Sequence, residues 1–161
     1  MHVISRRTAL TTDTMQLTRQ TDYSLRVLMY LAILDEGRLA QLGDIAADHG
    51  ISRNHLVKVV HRLGQLGYIV TRRGKGGGIR LARPAGEINI GEVVSRLETT
   101  LVPIDCTALA CKLLPACNLN RLLASAVGAY LQTLKGHTLA DLVAPGKTRA
   151  LLETIHGLET D

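Results

Sequence analysis

Residues 42–66 read Leu-Gly-Asp-Ile-Ala-Ala-Asp-His-Gly-Ile-Ser-Arg-Asn-His-Leu-Val-Lys-Val-Val-His-Arg-Leu-Gly-Gln-Leu, and their pattern decides the fold. Ile45 and Ala46 face inward from one short helix, Gly50 breaks it, Ile51 plugs the turn, and Leu56, Val59, Val60 and Leu63 form the stripe of a second helix. A small residue at Ala46 lets two helices approach closely, and Gly50 four positions on supplies the positive φ of the turn between them. This is a helix-turn-helix. Ser52 is placed to cap the second helix, whose polar face is Asn54, Lys58, His61, Arg62 and Gln65, with no acid to interrupt it. Together with Arg53 and His55 at its start, that face offers donors for base edges and cations for phosphates.

The residues that follow change period. Tyr68-Ile69-Val70-Thr71 and Ile79-Arg80-Leu81 are two short β-branched runs around Arg72-Arg73-Gly74-Lys75-Gly76-Gly77-Gly78, a β-hairpin with a cationic tip. The tip lacks the GxxxxGK[ST] spacing of a phosphate loop, and Ile79 occupies the last position of any GxGxxG, which argues against a nucleotide-binding enzyme. A hairpin directly after a recognition helix reads as a wing, with Arg73 and Lys75 near phosphates or a minor groove. Before the helix-turn-helix, Leu25, Leu28, Met29 and Ala32 mark an amphipathic helix from about Thr18 to Leu34. After the wing, Asn89 and Glu92 open a helix striped by Ile90, Val93, Val94 and Leu97. The longest stripe is Leu119, Leu122, Leu123, Ala126, Val127, Tyr130, Leu131 and Leu134. It covers over four turns, roughly 24 Å, more than a small DNA-binding module needs for itself, and reads as a dimerisation helix.

The expected architecture is therefore mainly α. Residues 1–14 form a loose N-terminal extension, 15–85 a winged helix-turn-helix DNA-binding domain, 86–143 a cysteine loop with dimerisation helices, and 144–161 a C-terminal tail. Composition agrees: of 161 residues 46% are hydrophobic, too few for a membrane protein and enough for one core. That core lacks Trp and Phe and must be aliphatic. No apolar run reaches bilayer length, and no signal-like segment opens the chain, so a cytoplasmic location is expected. The formal charge of +5 is segregated. Arg53, Lys58, Arg62, Arg72, Arg73, Lys75, Arg80 and Arg83 make Ser52–Arg83 a block of +8 without one acid, on a remainder of −3. Such a distribution is the footprint of a polyanion binder.

Three cysteines, Cys106, Cys111 and Cys117, are odd in number and crowded as C-x4-C-x5-C in a loop flanked by Pro103 and by Pro115, the latter placed for the first turn of the long helix. A disulfide framework is a poor fit, and the knuckle pairs of structural zinc are missing. A loop-borne triplet suits the corners of an iron-sulfur cluster, and Cys117, at the positive end of the long helix, is favoured as thiolate. A zinc or thiol redox switch on the same frame remains open. No Cys-His pair suggests nucleophilic catalysis, so no enzymatic activity is expected. Three thiolates leave a cubane one ligand short; none of the six histidines is well placed in sequence, which leaves an oxygen donor.

Met15-Gln16-Leu17-Thr18, Thr21-Asp22-Tyr23, Ser52 to Lys58, Arg73 to Leu81 and the cysteine triplet together resemble the NsrR family, nitric-oxide-sensing repressors among the iron-sulfur winged-helix regulators that also include IscR. The resemblance spans residues 15 to about 143. It implies a homodimer on a palindromic DNA operator, with one [4Fe-4S] cluster per subunit held by Cys106, Cys111 and Cys117 and by Asp22 of the partner subunit. IscR instead places a histidine three residues after its last cysteine and spaces its triplet C-x5-C-x5-C. Asn120 at that position and the shorter first spacing favour the nitric oxide sensors. Arg26, at i+4 from Asp22, is expected to orient or neutralise that carboxylate. The mechanism implied is nitrosylation of the cluster, loss of the geometry that sets two recognition helices one DNA turn apart, and release of the operator. An iron- or redox-responsive regulator of the same fold is the alternative.

Overall fold

The computed structural model describes residues 16–106 and 111–157. The expected extension, residues 1–14, lies outside them. The fold is mostly helical with one two-stranded antiparallel sheet, the architecture read from the pattern. Helix α1 is Arg19–Ala32, slightly shorter than its stripe suggested, because Thr18 caps it by accepting the Thr21 amide. Helices α2, Leu42–His49, and α3, Arg53–Gln65, follow. Between them Gly50 takes φ 61°, a left-handed conformation that costs a residue with a Cβ, and the Ile51 amide returns to the Ala46 carbonyl at 3.0 Å.

Strands β1, Ile69–Arg72, and β2, Gly78–Leu81, pair with Ile69 opposite Leu81 and Arg72 opposite Gly78. Ala40 exchanges two backbone bonds with Ile79, both 2.9 Å, and so fixes the wing to the segment before α2. Helix α4, Ile90–Leu97, is capped by Asn89, whose Oδ1 accepts the Glu92 amide at 3.1 Å. Helix α5, Asn118–Lys135, is followed by α6, Leu139–Leu142, and α7, Lys147–Ile155.

One aliphatic core joins α1, α2, α3, the wing and α4 through Val27, Leu28, Ile45, Leu56, Val59, Leu63, Ile79, Val93 and Val94, all essentially inaccessible to water. The stripes of α3 and α4, brought to one centre, are those the sequence displays, whereas on α1 only Leu28 of the expected four is buried, with Val27, Tyr30 and Leu31 beside it and Leu25, Met29 and Ala32 half-buried at the edge. Tyr68 fills part of that centre in place of a larger aromatic. Helix α5 crosses α4 at Gly91, where an added Cβ would lie 2.7 Å from the Lys135 amide nitrogen. Asn89 secures the crossing by donating to the Lys135 carbonyl at 2.7 Å.

The segment read as a tail holds a helix with its own small core. Leu152 of α7 packs with Ile33 and Val143. Just beyond α7, the His156 ring is fully buried, with Nδ1 2.9 Å from Asp48 Oδ2 and its centroid 4.1 Å from Tyr30 and 5.1 Å from His49. No described helix is long and apolar enough to cross a membrane.

Candidate nucleic-acid interface and thiol loop

Helix α3 exists because Leu56, Val59, Val60 and Leu63 bury one face, and the same spacing leaves Arg53, Asn54, His55, Lys58, His61, Arg62 and Gln65 exposed on the other. Ser52 caps it, its Oγ lying 3.4 Å from the His55 amide and 3.1 Å from His55 Nδ1. That hydroxyl is thus committed to the helix start. Arg53, Asn54, His55 and Lys58 line the first turns of an exposed face without a carboxylate. Arg62 differs: its Nη2 donates to the Arg96 carbonyl at 3.3 Å, which ties the end of α3 to α4 while leaving other guanidinium donors outward.

At the wing tip Arg72, Arg73 and Lys75 are all exposed, and the turn closes with the Gly77 amide on the Gly74 carbonyl at 2.9 Å. Gln41 also donates to the Gly77 carbonyl, so the tip has a second anchor on the residue before α2. The outer face of α3 and the wing tip are thus two exposed cationic surfaces within the Ser52–Arg83 block.

The three cysteines lie in the loop between α4 and α5, each partly buried and none in a disulfide. Pro115 sits in a short 3-10 turn, Leu114–Ala116, rather than in the first turn of α5, and Cys117 becomes the helix cap. Its Sγ accepts the Asn120 amide at 3.5 Å, while Asn120 Nδ2 donates to Cys106 Sγ at 3.6 Å. Asn120 therefore brings two of the three sulfurs to the positive end of α5. The Cys111 amide donates to the Cys106 carbonyl at 3.2 Å, which closes the loop on itself. Among the described residues no three His, Cys, Asp or Glu side chains stand together as a metal-holding group. Soft thiols converging on a helix N-terminus nevertheless fit an iron-sulfur cluster, which needs further donors from outside this loop.

Asp22 lies in the first turn of α1, its carboxylate 44% exposed, with Oδ1 3.0 Å from Arg26 Nε. The i+4 pair expected from sequence is formed, and one carboxylate face stays accessible to another molecule. Helix α5 supplies a surface for one. None of its eighteen residues is buried, and Leu119 and Leu122 are 54% and 66% exposed. Beside them Leu101, Val102, Pro103 and Ile104 join Leu123 and Val127 around an apolar cleft of about 350 Å³.

Sequence reasoning missed the cluster of His49, His156, Asp48 and Tyr30. The Nε2 atoms of both histidines are buried without a hydrogen-bond partner among the described residues. Burial, then the neighbouring His156 and Arg26, pushes the His49 pKa below its ordinary value. Burial and the nearby Asp48 and Asp44 raise that of Tyr30. Only a contact between residues more than a hundred positions apart creates this cluster, so no local pattern announces it.

The model of the Rrf2 family, described as an iron-dependent transcriptional regulator, matches residues 17–145. Among solved structures, the chain is similar to CymR (YrzC), the global cysteine regulator of B. subtilis, at 22% identity and a TM-score of 0.65, over 82% of this chain and 98% of that one. The oxidized form of Staphylococcus aureus CymR is 24% identical at a TM-score of 0.65, with the same coverages. IscR of T. potens is 21% identical at a TM-score of 0.64, over 83% of this chain and 90% of that one. At these identities the structures speak for the winged-helix fold alone.

Proposed function

The chain belongs to the Rrf2 family of DNA-binding transcriptional regulators, and from that premise we propose that it is a homodimeric repressor of the NsrR type that senses nitric oxide through an iron-sulfur cluster. Arg53, Asn54, His55 and Lys58 read or grip DNA in the major groove, Ser52 holds the helix start in register, and Arg62, Arg73 and Lys75 contact phosphate. Two copies of α5 form the dimer seam and set the two α3 helices about 34 Å apart, one turn of a palindromic operator.

Cys106, Cys111 and Cys117 would hold three corners of a [4Fe-4S] cluster, and Asp22 of the partner subunit the fourth. When bound, such a cluster supplies iron that reacts with nitric oxide. The carboxylate is the hard, weak donor of the set, and Arg26 competes for it. A tie from one subunit's loop to the other subunit's α1 holds the dimer in one geometry, and its loss frees α1 to shift and the operator to be released. The observation that carries this reading is Asn120 holding Cys106 and Cys117 at the N-terminus of α5 while Asp22 stays half exposed on the surface.

A thiol or zinc switch is the second reading. It is favoured by two sulfurs already sharing one neighbour, and one relative of this fold is a cysteine regulator. Purification without air separates the two. A brown protein with visible absorption and about four irons per chain supports the cluster, and a colourless protein carrying zinc or no metal supports the switch.

A further inference from the structure

Helix α7 is fastened to the rest of the chain at two points. One is apolar and small: Leu152, the one buried residue of this helix, packs with Ile33 and Val143. The other is His156, which caps the C-terminus of α7 and whose side chain is fully buried. Its ring centroid lies 4.1 Å from that of Tyr30 on α1 and 5.1 Å from that of His49 on α2. With Nδ1 2.9 Å from Asp48 Oδ2, it holds α7 directly on the first helix of the helix-turn-helix.

The charge balance at this contact is narrow. From α1, Asp22 and Arg26 act on His49, but they are committed to each other at 3.0 Å. On α7, Arg149 and Glu153 pair at 2.7 Å, and Asp141 of α6 accepts from Thr138 as a cap of its own helix. Asp44 and Arg38, of opposite sign, act on Tyr30. Among the described residues this leaves Asp48 as the one unpaired carboxylate at the two rings, able to balance one imidazolium but not two. The Nε2 atoms of both histidines are buried without a hydrogen-bond partner among the described residues. A second proton would thus be a buried charge without a counter-charge, beside another cation.

We propose that this cluster is an acid-sensitive latch, in which protonation of both His49 and His156 drives the His156 ring from its place against Tyr30 and His49 and frees α7 from the helix-turn-helix. The latch is independent of the sensor reading and goes beyond it. Burial, then His156 and Arg26, lowers the His49 pKa in the closed state. The open state therefore binds more protons, so the latch is fully closed above the ordinary imidazole value of about 6.5 and weakens as pH falls below it. Little apolar surface opposes opening, and the main core contains no residue of α7, so it stays intact when α7 leaves.

Hydrogen exchange of the full chain as purified, corrected for the intrinsic pH dependence of amide exchange, provides the test. Release that takes up one proton steepens by up to about tenfold per pH unit. Between pH 7 and 5 protection of the α7 amides should therefore fall about tenfold or more, while protection in α3 changes less than about threefold. His49→Gln leaves one titrating ring for Asp48 to balance, and its α7 should stay protected to pH 5 within a factor of about two. Asp48→Asn, whose amide oxygen can still accept from Nδ1, should move release to higher pH. Opposite shifts from adjacent residues do not arise from a general loss of fold. Loss of protection in α3 and α7 together, or release at the same pH in wild type and His49→Gln, overturns the latch; acid loss of a metal from the thiol loop would give the second of these. Should His49→Gln loosen α7 already at pH 7, Asp48→Asn decides, and release at the wild-type pH or below it overturns the latch.

Discussion

Leu122→Ala tests the dimer seam with a magnitude that follows from its exposure. Leu122 is 66% exposed in the single chain, and complete burial of a leucine is worth about 1.5–3 kcal/mol. Covering the exposed two-thirds of it therefore stabilises a dimer by about 1–2 kcal/mol per copy. A two-fold seam contains the position twice, so the variant should lose about 2–4 kcal/mol, a dissociation constant raised roughly 30- to 700-fold. The fold of each chain should hardly notice. Nothing in the core rests on this side chain, and Ala is the better helix former, so stability under conditions where the protein is monomeric should change by less than about 0.5 kcal/mol. Sedimentation equilibrium over a range of protein concentrations gives the first quantity, and urea unfolding at low concentration the second. An unchanged dissociation constant would refute the assignment of α5 to the seam, and a large loss of monomer stability would show that Leu122 packs within its own chain.

Three further outcomes are expected. Gly91→Ala should destabilise the chain by about 1–3 kcal/mol, because the new Cβ meets the Lys135 backbone at the α4–α5 crossing; a urea midpoint equal to wild type would contradict that packing. Lys58→Ala should weaken binding to all DNA sequences alike and reduce the salt slope by about one per protomer, whereas a loss confined to one operator sequence would mean a base contact instead. For His49 the folded-state pKa lies below the ordinary value of a free imidazole, chiefly through burial. Unfolded chains then take up a proton that the folded state refuses as pH falls below about 6.5, so stability is full above that pH and declines beneath it. His49→Gln should flatten this decline in urea midpoints measured from pH 7 to 5, and an equally steep decline in the variant would place its origin elsewhere.

How far the sequence led is clearest in α2 and α3. Their apolar residues recur at helical spacing, Gly50 marks the turn, and each of these signals is local, so Ile45, Leu56, Val59 and Leu63 could be placed in the core directly. The wing was equally legible, since its strands flank a glycine-rich tip only a few residues long. Contacts made by pairs distant in sequence were not. Ala40 completing the wing, Glu98 reaching Thr18, and His156 entering between Tyr30 and His49 leave no periodic trace, because each depends on one side chain or one backbone amide. Helix α7 offered a single buried leucine, Leu152, too little to stand out from a polar tail. In the thiol loop the spacing of Cys106, Cys111 and Cys117 marked a candidate site, but Asn120 as the common neighbour of Cys106 and Cys117 depends on how the chain turns at Pro115. Arg62 adds another such contact, since its Nη2 donates to the Arg96 carbonyl of α4.

The proposed repressor joins a cationic reading head to a thiol-held sensor, and one measurement addresses both at once. Anaerobically purified protein is titrated against DNA carrying its operator, obtained by selection from a random pool, and nitric oxide is then added while the visible spectrum is followed. The account expects a brown protein that binds tightly, then loses visible absorption and operator affinity together in proportion to nitric oxide added. A protein that binds equally well before and after its chromophore is destroyed, or that never carries one, would contradict it.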